Sequence, residues 1–308
     1  DIEILKPGLK QLEDLIGIPV LGVIPYSNLN IEEEDSVTRK FYKEDKNADI
    51  NIEVLYLPHV SNFTDFDIFE AFDDVNLRYV MRGEKINNPD LLIIPGSKNT
   101  IEDLIYLRNS GLEKQIIKAH KNDTKIFGIC GGYQMLGNSL EDPSGIESSV
   151  KKVNGIGLLD IDTVFEKEKT TTQVKGEILT NFKDSLSEIN SNKIKGYEIH
   201  MGKSVLNENS KPFLKITKKL NEKVSQLDGA TNLEKTVFGT YVHGIFDSTK
   251  FTRNFINSIR QDKGLKKYDK EDLDSFDEFK QKEYDKLADI LRESLDIEKI
   301  KGIIENGV

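Results

Sequence analysis

An α/β fold on a flavodoxin-like, mostly parallel sheet flanked by helices is what this sequence predicts, on three observations. Near-continuous apolar runs recur at 52–57, 90–96 and 125–129, helical patterns alternate with them, and strand-like stretches without intervening helices follow Pro143. Strands covered by helices on both faces read as unbroken apolar runs, whereas half-exposed strands alternate.

The elements follow in order. Leu9, Leu12, Leu15 and Ile16 have helical spacing, Gly17 stops that helix, and 18–25 reads as a buried strand. One helix and one strand cannot make a core. The chain also opens Asp1-Ile2-Glu3 without an initiator Met, so residues 1–31 are expected to be the end of a domain that begins earlier in a longer protein. Residues 32–50, with Glu32-Glu33-Glu34-Asp35, are too polar to be buried and read as a linker or a charged surface helix.

The main domain is expected over 51–248. Residues 52–57 and 77–81 read as strands with a helical stretch at 67–72 between them, and 90–96 is an apolar strand ending in a turn. Thr100-x-x-Asp103 resembles a capping box, opening a helix that breaks at Gly111 and runs to Lys121. Residues 125–129 form a short buried strand, and 131–136 start a helix. Strands at 153–165, 172–179, 196–201 and 236–242 are expected to extend the sheet, partly antiparallel. Residues 249–308 read as a helical segment packed on this domain, with Phe251, Phe255 and Ile259 on one face and Tyr284, Leu287, Leu291 and Leu295 on another.

Composition excludes several functions. Among 308 residues the net charge is −10, which argues against a general nucleic-acid binder, since that role needs a basic face to displace counterions. No apolar run approaches a bilayer span and no signal peptide opens the chain, so no membrane partner is expected. The single cysteine rules out an intrachain disulfide and fits a reducing compartment, the cytoplasm.

That cysteine, Cys130, carries the chemistry. It lies in Phe127-Gly128-Ile129-Cys130-Gly131-Gly132-Tyr133-Gln134, where a buried strand runs through glycines into a helix. This is a nucleophile-elbow pattern. Free N–H groups at the helix start and the helix dipole favour a thiolate. A cysteine serving only as a small core residue explains neither the flanking glycines nor the polar Gln134 one turn on. A thiolate nucleophile commonly works with a histidine. His120 lies at a polar helix end and His59 at a strand end. His200 sits in Gly196-Tyr197-Glu198-Ile199-His200-Met201-Gly202. His243 is favoured because it ends a strand before Gly244, and ligands bind at the carboxyl edge of parallel sheets. The Pro95-Gly96-Ser97 turn reaches the same edge, so N–H groups near Gly96 and of Gly131 can form an oxyanion hole.

Four stretches in this order, Pro95–Thr100, Gly128–Gln134, Gly196–Gly202 and Gly239–Gly244, resemble the class I glutamine amidotransferase domain of the cobyric acid/cobyrinate synthase type. The resemblance covers nearly the whole chain and is weakest after Asp262. It implies that Cys130 attacks the side-chain amide of glutamine, that His243 moves the protons, and that N–H groups near Gly96 and Gly131 hold the oxyanion. It further implies that Gln134 helps hold the substrate. The same resemblance implies a preceding synthetase domain that binds ATP and Mg²⁺ and amidates a corrinoid. This chain has no phosphate-binding Gly-x-x-x-x-Gly-Lys-Ser/Thr loop, so no cofactor and no metal is expected in it. Many class I amidotransferases follow the histidine with Pro-Glu, whereas His243 is followed by Gly244-Ile245. The orienting group is left open, with Glu198 and His200 as candidates. Rival readings are a sibling amidotransferase feeding another ligase, such as one making a cobyrinic acid diamide or amidating a cell-wall lipid precursor, a cysteine hydrolase with the same elbow, and a non-catalytic regulatory subunit. A metal hydrolase lacks its ligand spacing here.

Overall fold

The computed structural model describes residues 2–27, 29, 47–179, 182–268 and 276–307. The expected linker falls mostly outside these residues. Only 47–50 are described there, and Ile50 already opens the first strand. The chain forms two compact units, residues 35–273 and residues 1–34 with 274–308. This differs from the segmentation read from the sequence, which kept 249–308 together.

In the smaller unit a helix spans Ile2–Ile16, longer than its apolar spacing suggested. It runs through Pro7 at the cost of one backbone bond. The expected buried strand at 18–25 does not form. Its one bridge joins Gly22 to Leu295, and Ile18 and Ile24 are more than half exposed. No neighbouring strand exists among the described residues of this unit, so an apolar run alone cannot become a sheet. The segment is tied instead by Asp296 N–H donating to Leu21 O at 2.7 Å, where the Phe276–Ser294 and Ile297–Asn306 helices meet.

The larger unit is built on a seven-stranded sheet in the order Val75–Val80, Ile50–Leu55, Leu91–Ile94, Lys125–Ile129, Val237–Thr240, Ala230–Asn232, Ser210–Lys211. The first five are parallel; Ala230–Asn232 pairs antiparallel to them, and Ser210–Lys211 antiparallel to Ala230–Asn232. Leu91–Ile94 and Lys125–Ile129 are buried at every position, as their unbroken apolar runs require. The helix expected at 67–72 is a 3-10 helix over Phe63–Ala71. The helix after Leu91–Ile94 spans Thr100–Asn109, but its cap is Asn99, whose side chain accepts from Glu102 N–H, so Thr100 is the first helical residue and not a capping-box residue.

The later strands do not mainly extend this sheet. Most build a second one in the order Glu222–Asp228, Leu214–Lys219, Ile161–Ile178, Lys193–Leu206, Val242–His243. Stretches expected as two strands, ending at 165 and starting at 172, are one 18-residue strand whose middle projects into solvent, which is why its apolar pattern fades there. The chain crosses from the first sheet to the second between Thr240 and Val242, immediately before His243.

Phe127 of the central strand packs against Phe213, Phe238, Phe246 and Phe255 at centroid distances of 4.9–6.0 Å. The Thr249–Asp262 helix brings Phe251, Phe255 and Ile259 into this core, as the sequence spacing indicates. Its Arg253 clamps Asp74 with two bonds of 2.9 and 3.0 Å, and Arg260 adds a third at 3.0 Å. Pairing these buried charges fixes the helix to the end of the sheet; leaving one alone there would be strongly destabilising.

Candidate active site

The Lys125–Ile129 strand delivers Cys130 to its carboxyl end. Cys130 has φ 49° and ψ −108°, a conformation that side chains rarely adopt, and it caps the short Gly131–Met135 helix. Surroundings enforce this elbow. Cys130 N–H donates to Thr240 O of the adjacent strand at 2.8 Å, and a Cβ on Gly132 would lie 2.0 Å from Ile94 O. Only glycine lets the helix start so close to the neighbouring strand.

His243 ends up beside this cysteine because Val237–Thr240 is the next parallel strand, with Thr240 in register with Ile129. The imidazole is fully buried, near enough to Cys130 for the cysteine to raise its pKa, while the Cys130 thiol donates to Ile199 O at 3.5 Å. Its Nδ1 lies 2.7 Å from Asp65 Oδ2, and Asp65 Oδ1 accepts from Gly244 N–H at 2.9 Å. Tyr197 stacks on the ring at 5.3 Å. Burial alone pulls the His243 pKa down, but the Asp65 charge, its hydrogen bond and Cys130 together outweigh that and raise it to about 10. At neutral pH the ring therefore carries the proton.

Asp65 is the orienting group, and Glu198 is not. Tyr197 pairs with His243 across the second sheet, so the next residue points to the opposite face. Glu198 is buried there and pairs with Lys219 at 2.8 Å. His200 stacks on Tyr241 at 3.9 Å, with Nδ1 3.0 Å from Gly202 O, and burial lowers its pKa. His59 is held by Asp103 at 2.9 Å, and His120 lies 2.9 Å from Thr236 Oγ1 at the start of the Val237–Thr240 strand, the edge opposite Cys130.

Asp65 escaped sequence reasoning because it lies 178 positions from His243, in the first turn of the short Phe63–Ala71 helix. One signal was available: it follows the first parallel strand, at the ligand edge. Its position is built locally. Ser61 pairs with Gly96, and Asn62 takes a left-handed conformation that starts the 3-10 helix. A Cβ on Gly96 would lie 2.7 Å from Ser61 Oγ and 2.8 Å from His243 Cε1. Gly96 thus packs under the imidazole, while its neighbour Ser97 meets the elbow: a Cβ on Gly131 would be 3.0 Å from Ser97 N. Ser97 Oγ donates to Asp103 at 2.6 Å, which fixes this turn.

Cys130 opens into a cavity of about 320 Å³. Asn62, Ser97, Thr100, Gln134, Glu147 and His200 are among the residues lining it. Gln134 is buried, accepting from Thr100 Oγ1 at 3.3 Å and donating to Tyr241 Oη at 3.1 Å. Among the described residues no cluster of three or more His, Cys, Asp or Glu could hold a metal, and no helix is long and apolar enough to cross a membrane.

Cys130 on a strand-to-helix elbow, with a histidine just past the adjacent parallel strand and an aspartate from beyond the first strand paired to it, defines a class I amidotransferase type of α/β enzyme. Residues 51–251 match the CobB/CobQ-like glutamine amidotransferase domain, and the chain belongs to that family. It is 48% identical over 99% of its length to the cobyric acid synthase of Thermoanaerobacter sp. strain X514, of which it covers 60%, and 48% identical to that of Clostridium novyi strain NT, of which it covers 59%. The chain thus spans about 60% of the length of these curated relatives. A solved structure of PurLQS from Thermotoga maritima shares the fold, with TM-score 0.51 and 20% identity over 68% of this chain and 98% of that one.

Proposed function

We propose that this chain hydrolyses glutamine to supply ammonia for the ATP-dependent amidation of corrinoid carboxylates, as the amidotransferase part of a cobyric acid synthase in cobalamin biosynthesis. The observation that carries the first half is Cys130 on the cavity wall with the His243–Asp65 pair close by. Support for the second half is the likeness to cobyric acid synthases along nearly the whole chain. ATP and Mg²⁺ belong to the portion of such a synthase beyond this chain.

The steps follow from the geometry. The Cys130 thiolate adds to the side-chain amide carbon of glutamine, and the C=O electrons move onto oxygen. The N–H groups of Ser97 and Gly131 receive that oxyanion, and Gln134 borders the substrate. The tetrahedral adduct collapses with cleavage of the C–N bond, and protonated His243 gives its proton to the leaving ammonia. A γ-glutamyl thioester remains. Water then adds to it, His243 takes the water proton, and the C–S bond breaks to release glutamate. Asp65 holds the ring in one tautomer throughout.

Hydroxylamine trapping tests this reading. With glutamine and hydroxylamine, the chain is expected to form γ-glutamyl hydroxamate by interception of the thioester, and Cys130→Ser none. Ammonia release without any trappable acyl group would refute the covalent route. For the acceptor, a full-length protein should amidate a corrinoid with ATP and glutamine; failure with corrinoids alongside success with another carboxylate would reassign it.

A further inference from the structure

A loop that the reaction steps leave unused reaches into the same cavity. Asp142 is fully buried, and its carboxylate accepts the N–H groups of Ile146 at 2.8 Å, Glu147 at 2.8 Å and Ser148 at 3.0 Å. Ser148 Oγ fastens the loop further by donating to Glu102 at 3.0 Å. The loop presents Glu147, whose Oε2 accepts from Thr100 N–H at 2.9 Å. Thr100 also donates to Gln134, so one residue links the Glu147 carboxylate to the first turn after Cys130.

Glu147 is half-buried and faces the cavity, and among the described residues it has no cationic partner. Burial pushes its carboxyl up to about 7 against the pull of the Thr100 hydrogen bonds. A cation brought into the cavity would favour the charged form. Elsewhere on the lining, Lys98 and Lys169 are exposed and give the rim positive charge. A cavity of about 320 Å³ with one anionic and two cationic groups matches a single zwitterionic amino acid. Its size lies near the low end of small-molecule sites, roughly 300–1,000 Å³.

We infer that Glu147 pairs with the α-ammonium group of the glutamine placed before Cys130, so that the site selects an amino acid over other primary amides. This deepens the glutaminase reading and rests on it. Glu147 is a specificity residue: it acts at the far end of the substrate from the bond that breaks.

The test compares glutamine with glutaric acid monoamide, which lacks only the amino group, on the full-length protein and its Glu147→Gln variant. The substituted side chain keeps an amide oxygen for Thr100 N–H, so the loop is retained. The wild type should prefer glutamine in kcat/KM by about 100-fold, since a site built to pair a polar group rejects an analogue lacking it. Glu147→Gln should lose about 100-fold on glutamine, mostly in KM, and less than about threefold on the monoamide. Equal losses on both amides, or no loss on either, would overturn the role of Glu147 while leaving glutamine hydrolysis standing. A wild type that hydrolyses neither amide would instead overturn the glutaminase reading beneath it.

Discussion

The two halves of the active site are assembled in different ways. The cysteine half is contiguous: strand, nucleophile, helix start and Gln134 all fall within Lys125–Met135. The histidine half is gathered from distant segments, with Asp65 after the first strand, Gly96 under the ring, Tyr197 from the second sheet and His243 at the crossing between sheets. Cys130 owes its placement to local backbone geometry. His243 depends on a charge pair and a stacking partner that only the tertiary fold brings together. Damage to the first should abolish chemistry outright, and damage to the second should weaken it by degrees.

The largest effect is expected from Cys130→Ala. Glutamine turnover should fall by more than about 10⁴-fold, while thermal unfolding stays within about 3 °C of the parent, because the removed sulfur leaves the elbow unchanged. His243→Ala should cost about 10³-fold in kcat, within the range for loss of a general acid–base. Asp65→Asn should cost about 10²-fold and also move the pH profile. In the parent His243 keeps its proton up to about pH 10; without the Asp65 charge, burial dominates and the alkaline limb should shift well below that value. The sign for stability is the same. A raised histidine pKa contributes stability fully below about pH 6.5 and loses it as pH rises through about 10. Urea titrations should therefore show the Asp65→Asn deficit largest near pH 6 and fading above pH 10. Smaller still is Glu198→Gln, on the far face of its strand, which should change glutamine turnover by less than about threefold. His120→Ala, at the opposite edge of the sheet, should leave it within about twofold.

Legibility in the sequence follows the same division. Near-continuous apolar strands and the glycines around Cys130 announced the parallel sheet and the strand-to-helix elbow, because sheet burial and sharp turns restrict residue type locally. His243 was readable from its place at a strand end. The second sheet was not: its longest strand projects partly into solvent, so the alternation that marks a half-buried strand is lost between Lys167 and Thr172. The run from Ile18 to Pro25 misled in the other direction, since apolar character without a partner strand made only one bridge. Asp65 was hidden because nothing in Ser61–Asp67 alone distinguishes a charge that meets a histidine 178 positions away from one that meets water. Glu198, one of the two candidates the sequence leaves open for the orienting group, is turned away from His243 by strand alternation.

Whether Cys130 is the nucleophile of a glutamine site is tested most directly by covalent labelling with an electrophilic glutamine analogue, read by intact mass and peptide mapping beside a Cys130→Ser control. One adduct is expected, on Cys130, slowed by added glutamine and much slower in Asp65→Asn. An adduct on another residue, or labelling of Cys130 that glutamine does not compete, would contradict that assignment.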